Sequence, residues 1–225
     1  MISPGGLITK IAEATDIAPT TVGLFARALR EAGLLTTGGR GSSAPHMQTI
    51  DAARLLLAHL ASETAETAPR AVRDFGELIA LADPTGSGHK PFRARFEERL
   101  GKRRTFLHGI CELIDMFRHE HGAEYFQAAS DEATKMLGGI SATPACGIIV
   151  NVTKFSAAIE ISGFRYTYRH PGYIALMMNQ DDPESEKLIR QWRKVGDRYW
   201  SGIKTQRSAL GDVIEKIAMG FGDER

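Results

Sequence analysis

Two short stretches of helical periodicity, separated by a break of only a few residues, constrain the fold of this chain more than any other feature. The apolar residues that carry the two periods are Leu7, Ile8, Ile11 and Ala14, followed by Val22, Phe25, Ala26 and Leu29. Recurrence at three- and four-residue spacing is typical of a helix that buries one face. Because only Asp16 and Ile17 interrupt the pattern, it predicts two helices joined by a tight turn.

The second helix has recognisable signals at both ends. Pro19 suits the first turn of a helix, where its missing N–H costs nothing. Gly33 suits the left-handed conformation that commonly follows a helix. We therefore predict a helix from about Pro19 to Ala32.

A loop and a third helix are predicted to follow. The segment from Thr36 to Pro45 is rich in glycine and small polar residues and has no apolar period, which indicates an exposed loop. The helical period returns at Thr49 and continues to about Ala61. It predicts a strongly amphipathic helix that packs under the first two.

The chain of 225 residues is long enough for two domains, and the break from Asp83 to Gly88 is the best place for a boundary. A helix from about Arg70 to Ala82 is expected before it, which defines domains of residues 1–83 and 90–225. In the second domain we expect a helix that begins near Phe106 and stops near Gly122, and another from about Tyr125 to Leu137.

Strand-like alternation is confined to the segment from Gly147 to Arg169. The alternating apolar residues are Ile148, Val150 and Val152, then Phe155, Ala157, Ile159 and Ile161, then Phe164, Tyr166 and Tyr168. Two or three short antiparallel strands are expected, with a tight turn at Ser162 and Gly163. From Pro183 onward the pattern is again helical, so the predicted fold class is mainly α with a small antiparallel sheet, an α+β architecture.

A resemblance to a known superfamily rests on residues from about 6 to 47. The segment from Ile11 to Val22, and the ending from Leu29 to Leu35, resemble the winged helix-turn-helix modules of bacterial transcription regulators. The spacing of Ala12, Ile17, Val22 and Leu29 carries most of the likeness, which covers about a fifth of the chain. The resemblance implies that residues 1–83 form a DNA-binding domain with supporting helices, and that the glycine-rich loop is its wing.

A helix can enter the DNA major groove when one face is anchored by packing and the other carries short or hydrogen-bonding side chains. The second predicted helix meets both conditions. The candidate DNA-binding residues on it and on the wing are Thr20, Thr21, Gly23, Arg27, Arg30, Arg40 and Ser42.

These candidates differ in their expected contacts. Thr20 and Thr21 suit phosphate or base-edge contacts near the helix start, and Gly23 permits close approach. Arg27 is the best candidate for bidentate guanine recognition or a phosphate clamp, while Arg30 suits phosphate. As wings do in the superfamily, Arg40 would reach an adjacent minor groove or the DNA backbone.

The charge distribution gives this interpretation only limited support. The formal net charge is +1, and residues 1–50 contain four Lys/Arg against three Asp/Glu. Leu24 is an unusual residue for an exposed face that contacts DNA. A denser group of cations lies further along, at Lys90, Arg93, Arg95, Arg99, Lys102, Arg103 and Arg104. That group is either a second DNA contact or simply a solvated helix face.

Catalytic and cofactor signals are weak. His108 and Cys111 lie one helical turn apart, but without a third orienting group they do not form a nucleophilic site, so we expect no enzyme activity. No metal or cofactor is expected, because two cysteines are too few for a ligand cluster. The alternating rings of Phe164, Tyr166 and Tyr168 would suit single-strand stacking, although a core role is the simpler interpretation.

No leader-like N-terminus and no apolar run of about 20 residues is present, so we expect a protein that is neither exported nor in a membrane. The low cysteine content fits a reducing cytoplasm.

We expect a homodimeric, site-specific regulator of transcription, a repressor by default, that binds an inverted repeat in double-stranded DNA. Residues 90–225 would supply dimerisation, an effector surface or a contact for a protein partner.

Two alternatives remain open. One is an interaction protein of a mobile element, whose winged module or sheet engages another protein. The other is a non-catalytic DNA-packaging or replication accessory factor, in which the basic segment near residue 100 matters more than Arg27.

Overall fold

The computed structural model describes residues 2–38, 45–81, 84–86, 90–102, 104–119, 146–161, 163–178, 182–199 and 206–222, with seven further positions between 124 and 135. Arg40, Ser42 and Arg103 lie outside these residues, as do most of the predicted 125–137 helix and the region near Gly122. Within the described part, no helix is both long enough and apolar enough to cross a membrane.

The described helices are α1 Pro4–Thr15, α2 Pro19–Glu31, α3 Thr49–Ala61, α4 Ala68–Gly76, α5 Lys90–Leu100, α6 Phe106–His119, α7 Pro171–Met177, α8 Pro183–Gly196 and α9 Gly211–Met219. The strands are β1 Ile79–Ala80, β2 Thr85–Gly86, β3 Cys146–Asn151, β4 Ser156–Ile161, β5 Phe164–Arg169 and β6 Gln206–Leu210. These elements confirm a mainly helical α+β chain with a small antiparallel sheet.

The sheet is larger than predicted. Its order is β1-β5-β4-β3-β6, with β2 also paired to β5, and every pairing is antiparallel. The three central strands lie where the alternation predicted them, but the expected total of two or three strands is wrong. Because β1 and β2 are two residues long and β6 buries only Ala209, none of these edge strands shows an apolar alternation.

Two predicted helical segments are therefore corrected. The helix expected from Arg70 to Ala82 is α4, which ends at Gly76, and the chain then joins the sheet edge through Ile79 and Ala80. Ala80 donates its N–H to Arg104 O at 2.9 Å, a long-range contact invisible to local propensity. The pattern from Pro183 onward predicts helix, but Gln206–Leu210 form β6, and Leu210 at its end is exposed.

Helix α3 is the central element of the core rather than the amphipathic helix that its periodicity predicted. Nine of its thirteen residues are buried, and it packs against α1, α2, α4, α6, β3 and β6. Small alanines lie between its leucines, which lets neighbouring elements approach it from several sides. The predicted packing of this helix under α1 and α2 is confirmed.

Both predicted domains contribute side chains to one hydrophobic cluster. Helix α9, from the C-terminal part, packs against α1 and α6. The boundary between residues 1–83 and 90–225 stays a prediction.

Gly109 offers a test of how tightly α6 packs on the sheet. A Cβ added there would lie 2.6 Å from Tyr168 Oη and 2.7 Å from Ile159 Cδ1. We expect Gly109→Ala to lower the free energy of unfolding by about 1–3 kcal/mol, because overpacking outweighs the gain in helix propensity. Urea unfolding measures this change.

The matched control is Gly5→Ala in α1, where an added Cβ meets nothing within 4 Å. Its stability should equal or slightly exceed that of the parent chain. Equal stabilities for the two variants would contradict the close packing of α6 against β4 and β5.

Candidate nucleic-acid interface

A three-residue turn joins α1 to α2, as the sequence predicted. Helix α1 ends at Thr15, and the next residue, Asp16, has a left-handed φ of 55° and donates its N–H to Ala12 O. Pro19 then opens α2, which ends at Glu31, one residue before the predicted end. Gly33 has a φ of 70°, the left-handed geometry expected after this helix.

The two faces of α2 divide as predicted. Val22, Phe25, Ala26 and Leu29 are buried against the core. The opposite side, which we call the α2 face, comprises Thr20, Thr21, Gly23, Leu24, Arg27 and Arg30. Gly23 is partly buried and the other members of this face are exposed. A Cβ added at Gly23 would meet nothing within 4 Å, so the surface is open there.

The beginning of α2 is electrostatically suited to an anion. No side chain caps its N-terminus, and its first turn contains no acidic residue. Pro19 has no N–H, and the N–H groups of Thr21 and Val22 donate to Ala18 O, so the attraction for an anion beside Thr20 comes mainly from the positive end of the helix dipole. This is the end of the helix at which a phosphate contact was predicted.

Arg27 has a partner that the sequence analysis overlooked. Its Nε donates to Glu31 Oε1 at 2.8 Å across one helical turn, and this hydrogen bond raises the pKa of Arg27. Both side chains are largely exposed. The i, i+4 spacing of Arg27 and Glu31 in the sequence is the signal that predicts this ion pair.

Both ends of the glycine-rich loop are fixed to Asp51 at the start of α3. The buried carboxylate of Asp51 accepts hydrogen bonds from Thr36 N and Thr36 Oγ1 on one side and from Gln48 N on the other, each at 2.8 Å. Met47 also donates its N–H to Ile2 O at 2.9 Å. The predicted wing residues Arg40 and Ser42 lie between these anchors, outside the described residues.

The basic segment near residue 100 is less positive than its composition suggests. Arg93 pairs with Glu97 at 2.9 Å, and Arg95 pairs with Glu98 at 2.6 Å. Arg99 pairs with Glu112 of α6 at 2.7 Å. These contacts favour the simpler interpretation of α5 as a solvated helix face, because its three arginines are paired with glutamates.

The remaining chemical candidates are buried or half-buried. Burial raises the pKa of the Cys111 thiol to about 12, so the thiol stays protonated and is a poor nucleophile near neutral pH. Tyr166 packs on Phe96 and Tyr168 on Phe106, with ring centroids 5.1 and 5.0 Å apart. These tyrosine rings belong to the core and cannot stack on bases.

A cavity of about 750 Å³ opens beneath the α1–α2 turn. Asp16, Ile17, His59 and Arg207 contribute to its lining. The imidazole of His59 stacks on Phe25 with ring centroids 4.2 Å apart. Burial, aided by the charge of Arg207, lowers the pKa of His59 to about 4, so this ring supporting α2 is neutral at pH 7.

Among the described residues, no group of three or more histidine, cysteine or acidic side chains is arranged to hold a metal ion. Comparison with protein-family models, with curated proteins and with solved structures gives no match. The functional argument therefore rests on the geometry of α2 and its surroundings.

The shifted pKa of His59 predicts loss of stability in mild acid. Between its ordinary pKa of 6.5 and its folded value of about 4, the unfolded chain binds a proton that the folded chain does not. Stability should therefore fall as the pH drops through this window. Burial also lowers the pKa of His170, which adds a loss in the same direction.

Thermal unfolding midpoints at pH 7 and pH 5 measure the effect. His59→Gln should lose less stability between these two pH values than the parent chain, because it cannot take up the proton. His46→Gln, at an exposed position, is the control and should behave like the parent. A loss in His59→Gln as large as in the parent would show that His59 does not cause the acid sensitivity.

Proposed function

We propose that this protein binds double-stranded DNA through the α2 face and acts as a sequence-specific regulator of transcription. The observation that carries the proposal is the division of α2 into a buried anchoring side and an open side with Thr20, Thr21, Arg27 and Arg30 exposed. A helix anchored on one side presents its other face in a fixed position, and an α-helix fits the DNA major groove.

Each exposed residue suits a particular contact. Thr20 and Thr21, at the start of α2, would bind a phosphate through their hydroxyls at the positive end of the helix dipole. Gly23 would allow the helix to approach the base edges. Arg27 would bind guanine and Arg30 a flanking phosphate.

The surroundings of α2 support a winged helix-turn-helix arrangement. The loop between Thr36 and Gln48 is anchored at both roots by Asp51. In this proposal the loop acts as the wing, and Arg40 and Ser42 contact the DNA beside the groove.

The proposed assembly is a cytoplasmic homodimer that acts as a repressor. Two copies of α2 about one DNA turn apart, roughly 34 Å, would bind an inverted repeat. Residues 90–225 would provide the dimer contact or a regulatory surface.

The first experiment selects bound fragments from a pool of random-sequence duplex DNA and compares the parent chain with Arg27→Ala. We expect an inverted repeat to be enriched, and its base preference to be lost in the variant. Arg190→Ala is the matched control, because Arg190 is an exposed arginine in an i, i+4 pair with a glutamate on α8. Absence of binding at low and moderate salt would overturn the proposal.

Glu31 provides a second test of the same contact. Its carboxylate competes with DNA for Arg27, so Glu31→Gln should raise affinity for the selected site by roughly three- to tenfold and steepen the salt dependence. Glu186→Gln, which releases Arg190 on α8, should leave DNA affinity unchanged. Unchanged affinity in Glu31→Gln would show that Arg27 does not contact the DNA.

One observation favours a second candidate function, which is docking of a protein partner on the same face. Leu24 is 60% exposed in the middle of the α2 face, where a DNA-binding helix gains little from an apolar side chain. If no DNA is bound, this surface is the first to test for a protein partner. The paired arginines of α5 give no comparable support to a packaging or accessory role.

A further inference from the structure

A separate cavity of about 370 Å³ lies between the residues that follow α3, the first turn of α4 and the residues that follow α8. Three arginines from distant parts of the chain, Arg70, Arg198 and Arg207, contribute to its lining. Glu63 is the one acidic residue in the described lining. The cavity, which we call the arginine pocket, therefore has a net positive lining.

Two of the three guanidinium groups are held in place by the protein itself. Arg207 donates to His59 O at 3.3 Å and to Ser62 O at 2.6 Å, at the C-terminal end of α3. Its other contact is with Glu63 at 3.4 Å, and the side chain of Glu63 is largely exposed. Arg198 lies 3.5 Å from Asp74 Oδ2.

Arg70 differs from the other two because, within the described residues, it has no ion-pair partner. It lies in the first turn of α4 and is exposed. Burial and Asp74 raise the pKa of the Tyr199 phenol. The positive charges of Arg198 and Arg70 oppose this rise. Arg70 and Arg198 also line the same pocket, so both border the space that a ligand would occupy.

Further hydrogen-bonding groups border the pocket. Thr64 and Thr67 line it, and their hydroxyls lie 2.9 Å apart. Helix α4 begins at the pocket with no side-chain cap and no acidic residue in its first turn. Ala68 and Ala71 donate their N–H groups to Thr64 O and Thr67 O, so the contribution of α4 is the positive end of its dipole, which adds to the charge of the arginines.

Aromatic packing fixes the position of Tyr199, which forms one side of the pocket. Its ring stacks on Phe155, with centroids 5.2 Å apart and planes 7° apart, and meets the edge of Phe75 at 5.1 Å. The phenol donates to Asp74 Oδ2 at 2.8 Å. The backbone that leads from Tyr199 to Arg198 is thereby held before any ligand arrives, which lowers the ordering cost of binding.

We propose that the arginine pocket binds a small phosphate-bearing ligand, with the phosphate between Arg70 and Arg198 and beside the start of α4. Arginine suits this role because its planar donors match phosphate oxygens bidentately. The volume exceeds that of a bare phosphate, so a monoester with a small organic group also fits. This site lies apart from the α2 face and does not depend on DNA binding.

Isothermal titration calorimetry of the full chain with inorganic phosphate and with glycerol phosphate tests the proposal. We expect both ligands to bind, and Arg70→Ala and Arg198→Ala each to weaken binding at least tenfold. Arg190→Ala on α8 is the control and should bind as the parent does. Tighter binding of glycerol phosphate than of phosphate would identify a monoester as the ligand class, and the reverse order would identify free phosphate.

Three outcomes would overturn the proposal. The first is no binding at millimolar ligand, and the second is equal binding by all variants. The third is a loss of duplex DNA affinity in Arg70→Ala together with displacement of phosphate by DNA, which would assign these cations to the DNA backbone. Because Arg70 and Arg198 are exposed, circular dichroism should show that both variants remain folded.

Discussion

Burying a whole helix requires partners for the backbone groups at both of its ends, and α3 meets this requirement in a way that organises the rest of the chain. A buried helix end without hydrogen-bond partners costs free energy that a protein of this size cannot easily offset. The fully buried carboxylate of Asp51 closes the N-terminal end, where it also binds Thr36 and Gln48. The guanidinium of Arg207 closes the C-terminal end by binding His59 O and Ser62 O.

The two proposed sites depend on these opposite ends of α3. At the N-terminal end, Asp51 holds both ends of the loop that is proposed as the wing, so the DNA-binding proposal relies on the same carboxylate that satisfies the helix. At the C-terminal end, Arg207 ties β6 to α3 and lines both the arginine pocket and the cavity under the α1–α2 turn. A ligand in the arginine pocket would therefore bind next to a residue that also supports the region beneath α2.

Local periodicity predicted the positions of the elements whose apolar residues recur at regular spacing. Helices α1, α2 and α3 and strands β3, β4 and β5 lie where the apolar spacing placed them, and the exposed side of α2 contains the predicted residues from Thr20 to Arg30. The pairing of Arg27 with Glu31 was available from the i, i+4 spacing but was overlooked. Strands β1, β2 and β6 were missed because short edge strands are held by backbone hydrogen bonds to β5 and β3, not by an apolar pattern.

The sequence by itself determined the two N-terminal helices and their short turn, the three central strands and the chemistry of the α2 face, because side chains one turn or two residues apart share a surface whatever the tertiary fold. Only the tertiary structure decided that α3 is buried almost all round and that Arg99 of α5 pairs with Glu112 of α6. It alone brought Arg70, Arg198 and Arg207 around one cavity. Contacts between residues more than a hundred positions apart leave no local period, since they form only when the elements pack.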